Sequence, residues 1–272
     1  MKAAPFDYLR PRDVAAASAA LARHGITTAA IAGGQSLLPM LSLRAAYVDL
    51  LVDIGRLDEL REVAETRDEL RIGALTTHAA IEDGKIPDPF AGLLRHVAGQ
   101  ISYRAVRNHG TIGGSVALAD PAADWLTCLT ALGAELLLAG TGGRRRVALS
   151  GFVRGALATG LEANELIVSI RIPKFSKRAR FSYHKICRKA GEFADAIAAV
   201  AHDPERDVNR YATSTPAGGP LLIEASQAPL AAGDTLAELQ QRLTAAGFSG
   251  DAYETRLRAV ALQRALKTMA AA

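Results

Sequence analysis

Residues 31–37 read IAGGQSL, and well downstream 111–115 read TIGGS. Each stretch sets two adjacent glycines beside a hydroxyl, with apolar flanks. A glycine pair has no Cβ in the way, so backbone N–H groups can converge on one anionic oxygen, above all in a diphosphate. A helix starting just after the turn adds the positive end of its dipole. Taken singly, each stretch is explained as well by a tight turn. Two turns of matching design, far apart in the chain, fit a pair of cradles gripping one extended ligand.

The better-known glycine motifs are absent. There is no G-x-G-x-x-G and no G-x-x-x-x-G-K-[ST], so neither a Rossmann dinucleotide site nor a P-loop is supported. GQSLL and GGSVA lack the closing glycine of a nucleophile elbow, which argues against a serine hydrolase.

Around the first turn the pattern is that of alternating strands and helices. A short extended segment at 6–9 is stopped by Pro11. Asp13 is placed to cap a helix running to about His24, with Val14, Ala17, Leu21 and Ala22 at helical spacing and Gly25 as its stop. Residues 27–32 read as a buried strand, a short helix follows from Ser36 to about Ser42, and 48–54 is a second strand. A third strand spans 69–73, and 76–84 and 90–98 are helical. After the second turn Pro121 sits at the expected first position of a helix reaching Leu132. A hairpin across AGTGG joins 135–138 to 144–149, and the strand 165–172 ends at Pro173.

The basic connector KFSKRARF, 174–181, suggests a boundary, dividing the chain into 1–175, itself split near 55/56, and 176–272. Beyond it, 181–188 and 221–225 read as strands and 194–201 is ambiguous between strand and helix because of its alanines. Residues 205–220 read as an irregular loop. Two helices, near 235–246 and 251–269, close the chain.

Composition narrows the function. The chain has 272 residues, 49% of them hydrophobic, and a net charge of only +4, so a large core is available and global disorder is excluded. Its basic runs lack the interleaved aromatics of a nucleic-acid groove. The two cysteines, Cys128 and Cys187, provide neither a disulfide framework nor an iron–sulfur ligand set, and the six histidines show no metal-ligand spacing. No run is apolar enough to span a bilayer and the N-terminus has no apolar signal core, so a reduced, cytoplasmic setting is expected.

The segments AGGQSLLPML, VRNHGTIGGSVALADPAADW, LIVSIRIP and YHKICRKAGEFADAIAAVA together resemble the FAD-binding medium subunit of the molybdenum hydroxylases, the family of xanthine dehydrogenase and aerobic carbon monoxide dehydrogenase. The resemblance implies an α+β chain: a two-subdomain FAD-binding fold of the vanillyl-alcohol oxidase type plus a smaller C-terminal α+β domain. It implies that Ile31, Ala32, Gly33, Gly34, Gln35, Ser36 and Leu37 wrap the diphosphate and ribityl chain. Thr111, Gly114 and Ser115 would add the second set of contacts, and Ile101, Ser102, Ala117 and Ile167 would line the cofactor. Asp124 would bond the adenosine side and Lys185 would lie near the flavin ring. With no histidine in the first loop, FAD is expected to be non-covalent.

The resemblance also implies partners: a small subunit with [2Fe–2S] clusters and a large one with the molybdenum–pterin cofactor, assembled as a dimer of heterotrimers. Electrons would pass through FAD to an external acceptor, with substrate hydroxylated elsewhere. Two further readings stay open, a stand-alone flavin oxidase of the same fold and a non-redox nucleotide- or phosphate-binding protein. The chain departs from the family in Arg188-Lys189 and Gly191-Glu192-Phe193-Ala194, where relatives carry an arginine pair and Gly-Asp-Phe-Ala.

Overall fold

In the computed structural model, which describes residues 2–225 and 229–271, the chain builds its sheets in sequence order. The first contains β1 (Asp7–Leu9), β2 (Thr28–Ile31) and β3 (Leu50–Asp53), linked through α1 (Val14–Leu21) and α2 (Leu37–Ser42). The strand order is β1-β3-β2 and both pairings are parallel. Parallel neighbours need crossover connections, and the two helices supply them. Asp13 caps α1 as its position predicts, its carboxylate accepting from the Ala16 N–H at 2.7 Å. Val14, Ala17 and Leu21 of α1 share a buried cluster with Leu50 and Val52 of β3.

The second sheet is five-stranded and wholly antiparallel. Its members are β4 (Val63–Glu65), β5 (Glu69–Gly73), the hairpin β6 (Glu135–Gly140) and β7 (Gly143–Ala148), and, past the small ribbon β8 (Val153–Gly155) and β9 (Ala158–Thr159), β10 (Leu166–Pro173). Their order is β4-β5-β10-β6-β7. Between β5 and β6 the chain forms five helices: α3 (His78–Glu82), α4 (Leu93–Gln100), α5 (Arg104–Arg107), α6 (Ile112–Leu118) and α7 (Asp124–Ala131). Pro121 does not open α7. The Asp120 side chain accepts from the Ala122 N–H at 2.9 Å and its carbonyl from the Ala123 N–H at 2.9 Å, so Asp120–Pro121–Ala122–Ala123 is a turn and the helix starts at Asp124.

The third sheet is an antiparallel meander of β11 (Arg180–Ile186), β12 (Ala196–Asp203), β13 (Val208–Thr215) and β14 (Gly218–Glu224). β12 resolves the alanine ambiguity in favour of a strand. Ala196, Ala198 and Val200 face α8 (Leu236–Ala245) and α9 (Ala252–Ala271), while Ile197, Ala199 and Ala201 join the core around α7. A strand buried on both faces loses the alternation that marks a half-exposed one, and small side chains let both layers approach. The expected irregular loop at 205–220 is corrected to a strand and tight hairpin. Its hydroxyls are spent inside the sheet: Thr213 donates to the Ile197 carbonyl at 2.8 Å, and Ser214 accepts from the Ile197 N–H at 3.0 Å. Every residue of α7 is buried, and its Trp125, Leu126 and Leu129 share one cluster with strands of the second and third sheets. Among the described residues no helix is long and apolar enough to cross a membrane.

Candidate functional site

A cleft of about 520 Å³ opens where the three larger sheets meet. Every site residue expected from the sequence lines it. The loop after β2 brings Ile31, Ala32, Gly33, Gly34, Gln35, Ser36 and Leu37. The start of α6 brings Thr111, Gly114, Ser115 and Ala117, the α4–α5 corner brings Ile101 and Ser102, and Ile167, Asp124 and Lys185 come from β10, α7 and β11. The β10–β6 register slips between Ile167 and Ser169, a bulge where β10 borders the cleft.

The two glycine stretches are unlike each other. In the first, Gly34 lies in the left-handed region at φ 69°. A Cβ on Gly33 would fall on the carbonyl oxygen of His109, so the first loop rests directly on the segment leading into α6. The N–H groups of residues 33–36 have no acceptor among the described residues, and the Ser36 hydroxyl makes no capping bond to α2. This loop is an open cradle of donors.

The second stretch is corrected from a matching nest to a helix start. Thr111 is the N-cap of α6 and its hydroxyl accepts from the Gly114 N–H at 3.1 Å. The N–H groups of Ile112, Gly113 and Ser115 are bonded to the carbonyls of Thr76, Ala74 and Thr111. The glycines serve close approach instead: a Cβ on Gly113 would collide with Ala74, and one on Gly114 would sit 2.9 Å from the Thr111 hydroxyl oxygen. Gly114, Ser115 and Ala117 give α6 a smooth face toward the cleft, which suits a flat ring or a sugar laid along it.

Asp124 and Lys185 form one buried unit. Lys185 Nζ lies 3.0 Å from Asp124 Oδ1, and both side chains are under a tenth exposed. Tyr183 donates to the same carboxylate at 2.6 Å, and Lys185 also donates to the Gln100 carbonyl at 3.2 Å. Burial, with the Asp124 charge beside it, pushes the Tyr183 phenol well above its usual range, so it stays a donor. Asp124, expected on the adenosine side, and Lys185, expected near the flavin ring, thus stand side by side on one wall of the cleft.

The α4–α5 corner is held by Arg107. Its guanidinium donates to the Ile101 and Ser102 carbonyls at 2.9 and 2.8 Å and pairs with Glu82 through two further bonds. Ser102 itself takes φ 44°, a left-handed conformation unusual for a residue with a side chain. Gly191 packs on the Ser102 carbonyl, where a Cβ would come within 2.8 Å, and Phe193 stands 71% exposed beside it.

His78 is a cleft residue the sequence reading passed over, because a lone histidine at the start of a short helix carries no spacing signal. Its backbone N–H donates to the Gly110 carbonyl at 3.0 Å, and its Nδ1 accepts from the Trp125 indole N–H at 3.0 Å. Burial, with Arg107 nearby, lowers its pKa from 6.5 to about 4, so the ring is neutral at neutral pH. Burial pushes the Cys128 thiol upward and leaves it inert. Among the described residues no group of three or more His, Cys, Asp or Glu side chains is placed to hold a metal ion.

An open cradle of N–H donors, glycines placed where side chains would collide, and a small-residue helix face fit an anionic dinucleotide such as FAD. The comparison with known families agrees. Residues 4–175 match the family described as the FAD binding domain in molybdopterin dehydrogenase. The chain belongs to this family. Its members are oxidoreductases and FAD is their cofactor. Among relatives, the carbon monoxide dehydrogenase medium chain of Hydrogenophaga pseudoflava is 40% identical over 195 residues, 72% of this chain and 68% of that one. The caffeine dehydrogenase subunit beta of Pseudomonas sp. strain CBB1 is 33% identical over 229 residues, 83% of this chain and 78% of that one. Among solved structures, reconstituted CO dehydrogenase from Oligotropha carboxidovorans aligns over 100% of this chain and 99% of its own with a TM-score of 0.88 at 30% identity. The α+β fold is thus that of a molybdenum-hydroxylase medium subunit.

Proposed function

We propose that this protein is the electron-transferring FAD subunit of a molybdenum hydroxylase. It would work with a small subunit carrying [2Fe–2S] clusters and a large one carrying the molybdenum–pterin cofactor, as a dimer of heterotrimers. The observation that carries this reading is the single cleft into which the three larger sheets deliver the unpaired N–H groups of residues 33–36, the α6 start and the Asp124–Lys185 pair. The medium-chain names of the relatives support the multisubunit setting. We assign residues 1–55 and 56–175 to the two lobes that hold the cofactor and 176–272 to a third that covers it.

When bound, FAD would supply the redox chemistry that links iron–sulfur partners to an external acceptor. The chain's own residues bind and orient it. The 33–36 donors neutralise the diphosphate, with Ile31, Ala32 and Leu37 as the apolar walls of that loop, and Thr111, Gly114 and Ser115 receive the other side. Ile101, Ser102, Ala117 and Ile167 exclude water along the cofactor. Lys185 holds a positive charge in a dry setting, fixed by Asp124, Tyr183 and the Gln100 carbonyl. No side chain acts as a general acid or base, and attachment is non-covalent. Substrate choice rests with the large subunit.

The test is expression of the chain alone and together with its genomic neighbours. The chain alone, offered FAD, is expected to become yellow and bleach on reduction. The co-expressed complex is expected to carry iron and molybdenum at fixed ratios to flavin. Colourless protein that takes up no FAD overturns the reading. Flavin without iron and molybdenum partners, together with direct substrate oxidation, would establish the stand-alone oxidase instead.

A further inference from the structure

His78 is 95% buried, since only 5% of it is exposed, yet one of its two ring nitrogens has no hydrogen-bond partner among the described residues. The Trp125 indole can only donate. Its bond to His78 Nδ1 at 3.0 Å therefore requires a lone pair there, and in a neutral ring the proton must sit on Nε2. The ring lines the cleft, and its Nε2 edge lies over Gly110, where a Cβ would come within 3.0 Å of Nε2. Gly110 in turn touches Gly33: a Cβ on Gly33 would meet the Gly110 Cα at 3.0 Å. The unpaired Nε2–H thus stands beside the place where the open cradle of residues 33–36 meets the segment entering α6. Among the described residues the polar side-chain atoms that are both sealed from solvent and unpartnered are hydroxyls, and His78 Nε2 is not one of them, so this N–H opens into the cleft, where a ligand oxygen can take the place of water.

We propose that His78 is a neutral hydrogen-bond donor to a diphosphate oxygen of the cofactor, held in that tautomer by Trp125. This rests on the FAD reading above and adds to it a residue outside both glycine stretches. Trp125 is a positioning residue: it touches the ring and fixes which nitrogen bears the proton. A neutral donor suits this place, because the anion is already faced by the free N–H groups of residues 33–36, and the ring binds without having to take up a proton. The competing role is purely structural, a core histidine that merely satisfies the tryptophan.

The full-length protein is titrated with FAD, ADP and riboflavin while the imidazole ¹⁵N and cofactor ³¹P resonances are followed by NMR. His78 is expected to show a protonated Nε2 and an unprotonated Nδ1. FAD and ADP are expected to move the Nε2 resonance and riboflavin to leave it in place. In flavin-fluorescence titrations His78→Leu is expected to weaken FAD binding roughly ten- to a hundredfold, the range for one hydrogen bond to a charged group. His78→Gln, whose amide N–H can reach the same position, is expected to recover most of it. A ring protonated at Nδ1, an Nε2 resonance that FAD leaves unmoved, or a folded His78→Leu protein that binds FAD as the parent does would each overturn the proposal and leave the FAD reading intact. Should His78→Leu fail to fold, the NMR of the parent protein decides. Failure of the parent to take up FAD at all would overturn both.

Discussion

Gly33 is the point at which two parts of the chain distant in sequence come into contact, since any Cβ there would occupy the His109 carbonyl oxygen. Gly33→Ala is expected to force the loops apart. The cost is about 1–3 kcal/mol of stability from overpacking, together with loss of FAD, read from thermal melts and flavin absorbance. At the Asp124–Lys185 pair the two single substitutions are expected to differ. Asp124→Asn leaves a buried lysine charge unpaired and should cost about 3–5 kcal/mol, the range for breaking a buried pair. Lys185→Met should cost less, because Tyr183 still donates to the carboxylate. The double variant should recover part of the loss, and urea denaturation of all three gives the comparison. His78 sets a pH dependence. Its pKa falls from 6.5 to about 4 on folding, so between those values the unfolded chain binds a proton that the folded chain does not. Stability contributed by the neutral ring is complete above pH 6.5 and is lost as pH falls through about 4. His78→Gln is expected to flatten that slope, measured as urea midpoints across the window.

Single elements show what a local pattern carries. The Asp13 cap and the stops of α1 follow from neighbours in sequence, and Asp13→Ala is expected to cost about 1 kcal/mol without changing FAD affinity. The glycines of residues 111–115 were legible as a site but not as to kind. Their N–H groups are bonded to Thr76, Ala74 and Thr111, and whether a donor is free depends on what the rest of the chain brings to it. Likewise the alanine run of β12 carries no period, because both faces of the strand are covered, and the hydroxyls of β13 look like loop until β12 supplies their partners. Pro121 obeyed a nearby signal that outweighed its helix-start preference, the Asx turn of Asp120.

At the scale of the molecule the cleft is lined by residues from all three larger sheets and from the helices between them, so a bound dinucleotide touches parts of the chain far apart in sequence. A ligand that binds only the folded chain stabilises it by mass action, by about 2.7 kcal/mol at a free concentration one hundred times Kd. Saturating FAD is therefore expected to raise the melting temperature, and calorimetry with and without FAD checks it. ADP should give a smaller rise, since it reaches the diphosphate cradle but not the rest of the cleft.

Local chemistry written along the chain was enough to locate the glycine loops, the Asp13 cap, most strands and, through motif resemblance, the cofactor and residues that line the cleft, because each of those depends on neighbours a few positions away. The pairing of Asp124 with Lys185, the closed hydrogen bonds of α6, the tautomer of His78 and the contact between Gly33 and His109 depend on groups brought from tens of residues away. Which donors are left free for a ligand is what remains after all such long-range partners have been matched, and that remainder exists only once the three sheets have closed around the cleft.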